Sequence, residues 1–300
     1  MTGSTVSRRA FGKFLRQIRL DAGKAALAAG LRIEVSKQTL LRLEDGIPTK
    51  IATSQLRDLL AFYEVGPEVE AEALNLWEEV REHAKAQQQQ GSSKGFWRPY
   101  SDQYEAHFPH YLRLESAADR VVTHQLVLMP GLLQTPDYRR GVIHIEEPDI
   151  SAVDLERRIE LTARRQQRLD DPCFRLDALL SEAILRHRPA AGAVVAKQLR
   201  SLAEATERPN VTIRVIPFEA GPHPGLTTQS FTLLEFPRLD SGLVEPPVVY
   251  VEGGNSVGVY HERGDIVAKY GRTISALAAV ALSEDGTRDL MLHCAKEFEA

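Results

Sequence analysis

The stretch Val35-Ser36-Lys37-Gln38-Thr39-Leu40-Leu41-Arg42-Leu43-Glu44-Asp45-Gly46 carries two patterns at once. Val35, Leu40 and Leu43 recur at helical spacing and mark one inward face. Ser36 offers the hydroxyl that caps a helix, and Gly46 with Pro48 ends it at about Glu44. Ser36, Lys37, Gln38, Thr39 and Arg42 are left on the outer side. A helix that only filled a core would need no particular set of hydrogen-bonding side chains at its front.

The flanking sequence is helical as well. Phe11, Phe14, Leu15, Ile18 and Ala22 recur at i, i+3, i+4 and i+7, with Ser7 placed to cap them and Gly23 to stop them. An alanine-rich segment, Ala25 to Ile33, follows, and Leu56, Leu59, Leu60 and Tyr63 form one face of a helix from about Ser54 to Tyr63. Residues 1–66 therefore read as an all-α module. Val69, Ala73, Leu76, Trp77, Val80 and Ala84 form a further stripe, so residues 67–95 read as a connecting helix running into the polar linker Gln87 to Gly95.

Charge separates along the same division. Residues 1–60 hold eleven Lys and Arg against five acids, a balance of +6, and the chain totals −4, so the remainder carries −10. A basic head on an acidic body suits a polyanion-binding module joined to something that stays off the polyanion. In a helix-turn-helix the first helix needs a small residue where the second touches it, and Gly30 supplies one. Apolar residues anchor the second helix, and its exposed front meets base edges in the major groove. Lys37, Gln38 and Arg42 are the residue types that read bases: Gln pairs bidentately with adenine, Lys or Arg with guanine. Ser36, Thr39, Thr49 and Lys50 suit phosphates. A small interaction domain with a solvated basic face is the plainer reading of the same residues.

Leu15, Arg16, Arg19 and Gly23, then Ser36, Thr39, Leu40, Leu43, Glu44 and Gly46, resemble the Xre (Cro/C1-type) helix-turn-helix family over about residues 8–65. Glu34 stands where that family usually has glycine, which implies a distorted or looser turn. Lys24 and Ala25 replace the usual Leu-Ser start and weaken that helix's cap.

Residues 96–300 mix strands with helices, an α/β or α+β domain. Val121 to Met129, Phe174 to Leu180, Val211 to Pro217, Phe231 to Phe236 and Val248 to Gly253 read as strands. Ser151 to Leu169, Gly192 to Glu207, Asp265 to Leu282 and Asp285 to Glu297 read as helices. Leu126 to Tyr138, Arg164 to Leu169, Ser181 to Arg186, Asn210 to Gly225 and Val248 to Gly253 resemble the C-terminal domain of WhiJ-type actinobacterial regulators over about residues 97–295. That resemblance implies transcriptional control and a small protein partner. On the residues alone, Arg157, Arg164 and Arg168 at i, i+7 and i+11 share a face for an acidic partner or a phosphate-bearing ligand, or pair with Glu156 and Glu160. The loop Glu219 to Gly225, with His223, is either a ligand-edge loop or a rigid turn.

Nothing assembles into a catalytic site. There is no P-loop and no nucleophile elbow, Pro109 between His107 and His110 does not favour a zinc site, and Glu252 to Gly258 is not a dinucleotide fingerprint. Cys173 follows two aspartates, an unfavourable setting for a thiolate. The two cysteines, the lack of a signal-peptide core and the lack of a long apolar run point to a cytoplasmic protein. The expectation is a DNA-binding transcription regulator without enzymatic activity, cofactor or metal. Its second domain takes a small protein or small-molecule effector. It binds double-stranded DNA as a homodimer, joined through that domain or the Leu76/Trp77 helix. An antitoxin-like protein that neutralises a small neighbour is the alternative.

Overall fold

The computed structural model describes residues 6–47, 49–89, 100, 108–238, 245–253 and 257–299. Pro48, His107, Gly254, Asn255, Ser256 and linker positions 90–95, all invoked above, lie outside them. The chain forms two compact units, one of residues 1–95 with 236–245, the other of the remainder.

The first unit has five helices: α1 (Val6–Asp21), α2 (Ala26–Arg32), α3 (Lys37–Glu44), α4 (Thr53–Phe62) and α5 (Pro67–Gln89). Gly23, at φ 63°, closes α1 as a left-handed stop. The Ser36 hydroxyl accepts from the Thr39 backbone N–H at 3.0 Å and starts α3 where the sequence places it. Ala25 caps α2 without a side-chain bond, as its substitution implies. One core joins Phe11, Leu15 and Ile18 to Ala29, Ile33, Leu40 and Leu43, and to Leu56, Leu59, Leu60 and Tyr63 of α4. Each fully buried leucine contributes about 2 kcal/mol of apolar transfer.

The α5 stripe also belongs to that core. Ala73, Leu76, Trp77 and Val80 are buried in it, and the Trp77 ring lies 5.1 Å from that of Phe11. Leu76 and Trp77 are therefore spent inside their own unit and offer no surface for joining two copies. Residues 87–89, read as the start of the linker, are the last of α5.

The second unit is built on a six-stranded sheet ordered β3-β2-β1-β4-β5-β6. Its strands are β1 (Arg120–Gln125), β2 (Arg175–Ser181), β3 (Val211–Ile216), β4 (Phe231–Glu235), β5 (Val248–Gly253) and β6 (Val257–His261). β1, β2 and β3 are parallel, with Arg120 opposite Arg175 and Leu176 opposite Val211. Helices α7 (Pro136–Glu146), α8 (Ala152–Gln166), α9 (Ala183–Arg186) and α10 (Gly192–Ala205) make the crossovers. β4, β5 and β6 run antiparallel, so the sheet is mixed. Val122, Phe231, Leu233, Val249 and Val251 line one face, covered by Val267, Tyr270 and Ile274 of α11 (Gly264–Val280). On the other face the ring of Tyr111 of α6 (Phe108–Ala117) lies 4.8 Å from that of Tyr250, the two tilted by 44°. Helix α12 (Glu284–Glu297) packs on α10.

Two boundaries in the second unit differ from the sequence reading by three or more residues. The strand expected to reach Met129 ends at Gln125, and the helix expected to Leu169 gives way to a 3-10 turn after Gln166. Among the described residues no single helix is long and apolar enough to cross a membrane.

Candidate nucleic-acid interface

Helix α3 is held from behind by buried contacts. Leu40 and Leu43 enter the core, and Glu44, 1% exposed, meets Arg19 of α1 in a bidentate pair. Arg19 Nε donates to Glu44 Oε1 at 2.6 Å and Nη2 to Oε2 at 2.9 Å, while Nη1 reaches the Lys24 carbonyl at 2.9 Å. A charge this deep requires a partner of matching geometry, and the planar guanidinium provides it. Burial and the Glu44 charge push the Tyr63 phenol well above its usual range.

Two glycines set the spacing. A Cβ on Gly12 would lie 2.6 Å from the carbonyl oxygens of both Leu43 and Glu44, so α1 and α3 approach as closely as they do only with glycine there. A Cβ on Gly30 would meet the Val35 carbonyl at 2.9 Å, which is the small contact between α2 and α3 that the sequence called for. The turn between those helices is closed rather than loosened: Val35 N–H donates to the Gly30 carbonyl at 2.9 Å. Glu34 accommodates it by adopting φ 58°, the left-handed region that glycine occupies freely.

With its rear fixed, α3 presents Lys37, Gln38 and Arg42 outward. All three are exposed, and none makes a side-chain hydrogen bond or ion pair among the described residues. Gln38 and Arg42, four apart, share a face opposite Leu40 and Leu43. The basic residues of α1 are used differently. Arg9 and Lys13 face the fully buried Glu245 at 3.1 and 3.8 Å, Arg16 pairs with Asp45, and Lys24 with Glu64. Arg32, Lys37, Arg42, Lys50 and Arg57 are exposed without a carboxylate partner among the described residues, and they run from the end of α2 through α4. Arg32 and Arg57 were passed over in the sequence, although each stands on the polar side of an amphipathic helix.

The expected phosphate contacts need revision. Ser36 and Thr39 hydroxyls bond each other at 2.9 Å, so both serve the α3 cap first. The Thr49 hydroxyl is enclosed and has no hydrogen-bond partner, so it does not face outward as a phosphate ligand would require. Lys50 remains exposed.

The arginine face of the second unit is not open. Arg157 pairs with Asp154 and Arg164 with Glu160, and both guanidinium groups lie over the Tyr100 ring, at 6.0 and 5.7 Å. Arg168 stands on the 3-10 turn, out of phase with α8. It pairs with Asp171 and covers Phe174, so the three do not form one surface. Arg165, given no role from sequence, makes a bidentate pair with buried Glu115 that ties α8 to α6. His223 Nδ1 accepts from the Gly225 N–H at 3.1 Å, which makes the ring a cap for the turn at residues 224–226.

Comparison with known families divides the chain at the same place. Residues 10–74 match a model described as a helix-turn-helix domain, and residues 108–293 match one described as a domain of unknown function, DUF5753. No curated protein matches, and no solved structure matches.

Proposed function

The chain belongs to the DUF5753 family and carries a helix-turn-helix domain at its N-terminus, and from that premise we propose that it is a sequence-specific DNA-binding transcription regulator of the Xre type with a WhiJ-type C-terminal domain. The single supporting observation is the state of α3. Its rear is locked by a buried ion pair and two leucines, and its front carries three exposed side chains of the types that read bases, with no side-chain partner among the described residues. In this reading α3 lies in the major groove, with Lys37, Gln38 and Arg42 at base edges. Ser36 and Thr39 shape the helix start that approaches a phosphate. Lys50, Arg32 and Arg57 supply backbone contacts.

One helix-turn-helix module reads few base pairs, and two copies on a pseudo-palindrome double the site. The protein therefore acts as a homodimer in the cytoplasm, joined through the second unit, which takes a small protein partner or small-molecule effector. In this reading the domains are 1–66, 67–95 and 96–300; α5 packs in the core of the first unit, and residues 236–245 group with that unit.

Fluorescence anisotropy with duplexes from the region upstream of its own gene tests the proposal. Alanine at Lys37, Gln38 or Arg42 is expected to weaken specific binding by about 1–3 kcal/mol each and to relax discrimination at one position. Equal affinity for that region and for random duplex at physiological salt would remove the proposal.

A further inference from the structure

The residues that join β4 to β5 do not stay with the sheet those strands belong to. Positions 236–245 group with the helical first unit, and the chain rejoins the second unit at Pro246. Glu245, the last residue before that return, is fully buried. Its Oε1 lies 3.1 Å from Arg9 Nε and 3.8 Å from Lys13 Nζ, two cations one turn apart on α1. Arg9 is itself 5% exposed, so the pair with Glu245 is a buried one, and separating it would leave a charge without water.

Two further observations make this contact a lever. Only Pro246 and Pro247 separate Glu245 from β5, which begins at Val248. Each proline fixes its own φ at about −65° and holds the residue before it extended, so Glu245 follows β5 with little slack. On α1, Gly12 lies between Arg9 and Lys13 in sequence, and a Cβ there would stand 2.6 Å from the carbonyl oxygens of both Leu43 and Glu44. Backbone thus meets backbone where α1 touches the end of α3, and close-packed groups pass a displacement on instead of absorbing it.

We propose that Glu245 is a coupling latch. It ties β5 to α1 through Arg9 and Lys13, so that a change in the state of β5 alters the helix that backs α3. An effector or partner held by the second unit then changes DNA affinity, by the same factor that DNA changes its affinity. This regulatory consequence rests on the proposed DNA-binding function; the coupling of β5 to α1 does not.

Hydrogen exchange of the α1 backbone amides, followed by mass spectrometry on the full-length chain without DNA, tests the latch. Val249 and Val251 of β5 pack in a cluster drawn wholly from the second unit. Val249→Ala truncates that face of β5, and Val251→Ala takes its place if the first variant does not fold. Either is expected to speed exchange in α1 by about tenfold, a fraction of the destabilisation that such a truncation produces. The increment should vanish in Glu245→Gln, which breaks the latch. It should vanish also in Pro246→Gly with Pro247→Gly, which keeps the ion pair and slackens the lever. Exchange in α1 that ignores both valine substitutions, or an increment that persists in these backgrounds, overturns the proposal and leaves Glu245 a structural residue of the first unit. Coupling found in a chain that does not bind duplex DNA leaves the latch standing and removes only the regulatory consequence.

Discussion

Glu34 holds φ 58° in the turn before α3, a conformation that glycine adopts without strain. The turn hydrogen bond from Val35 to Gly30 forms regardless, so the strain is carried by one residue and not spread into the helices. Glu34→Gly is expected to raise unfolding stability by about 1 kcal/mol, read from the urea midpoint, with DNA affinity unchanged. His124, on β1, makes a second residue-level prediction. Its Nδ1 faces the Leu179 carbonyl at 3.1 Å, Nε2 is enclosed without a partner, and burial lowers its pKa from 6.5. Below pH 6.5 the unfolded chain takes up a proton that the folded chain resists, so this contribution is present above that pH and is lost as pH falls below it. Stability should decline toward pH 5 by at most about 1.4 kcal/mol per pH unit from this group. His124→Asn, which keeps a donor near Leu179, should flatten that slope; an unchanged slope assigns the loss elsewhere.

Helix α3 shows how far a local pattern reaches. Its cap at Ser36, its inward leucines and its stop at Gly46 were legible, because capping and helical periodicity are set by neighbours in sequence. The use made of Glu44 was not, since Arg19 lies 25 positions away and only packing turns both inward. Glu44→Ala would leave Arg19 buried and unpaired and should lower stability by about 3–5 kcal/mol, while Arg16→Ala, at an exposed pair, should change it by less than about 1 kcal/mol. Gly12→Ala forces Cβ against two carbonyl oxygens and should cost about 3 kcal/mol, with weakened DNA binding because α3 must shift. Thermal unfolding beside anisotropy separates the two effects. α6, α7, α9 and β6 are not legible in the sequence pattern, and α7 shows why. Gly141 interrupts its pattern, yet it is required because a Cβ would meet the Pro189 carbonyl at 2.8 Å.

Taken over the whole chain, the basic balance of residues 1–60 predicts a polyanion partner, but the structure divides that charge. Arg9, Lys13, Arg16, Arg19 and Lys24 face carboxylates, and the exposed cations without a carboxylate partner among the described residues begin at Arg32. Neutralising Lys50 or Arg57 should therefore reduce the slope of log K against log salt by about one each, uniformly across DNA sequences, whereas neutral substitutions at Arg9 should act through stability. A slope that ignores Lys50 and Arg57 would place the phosphate contacts on another surface. The chain order alone determined a helical basic module, its cap-defined α3 and a mixed strand-and-helix remainder, because periodicity, capping and composition are local properties. Tertiary structure decided the sheet order, the burial of Leu76 and Trp77, the capture of Arg157, Arg164 and Arg168 by nearby acids, and which cations stay free. Those outcomes depend on which distant residues meet, and a charged side chain becomes a candidate contact for DNA only where no carboxylate of its own chain reaches it first.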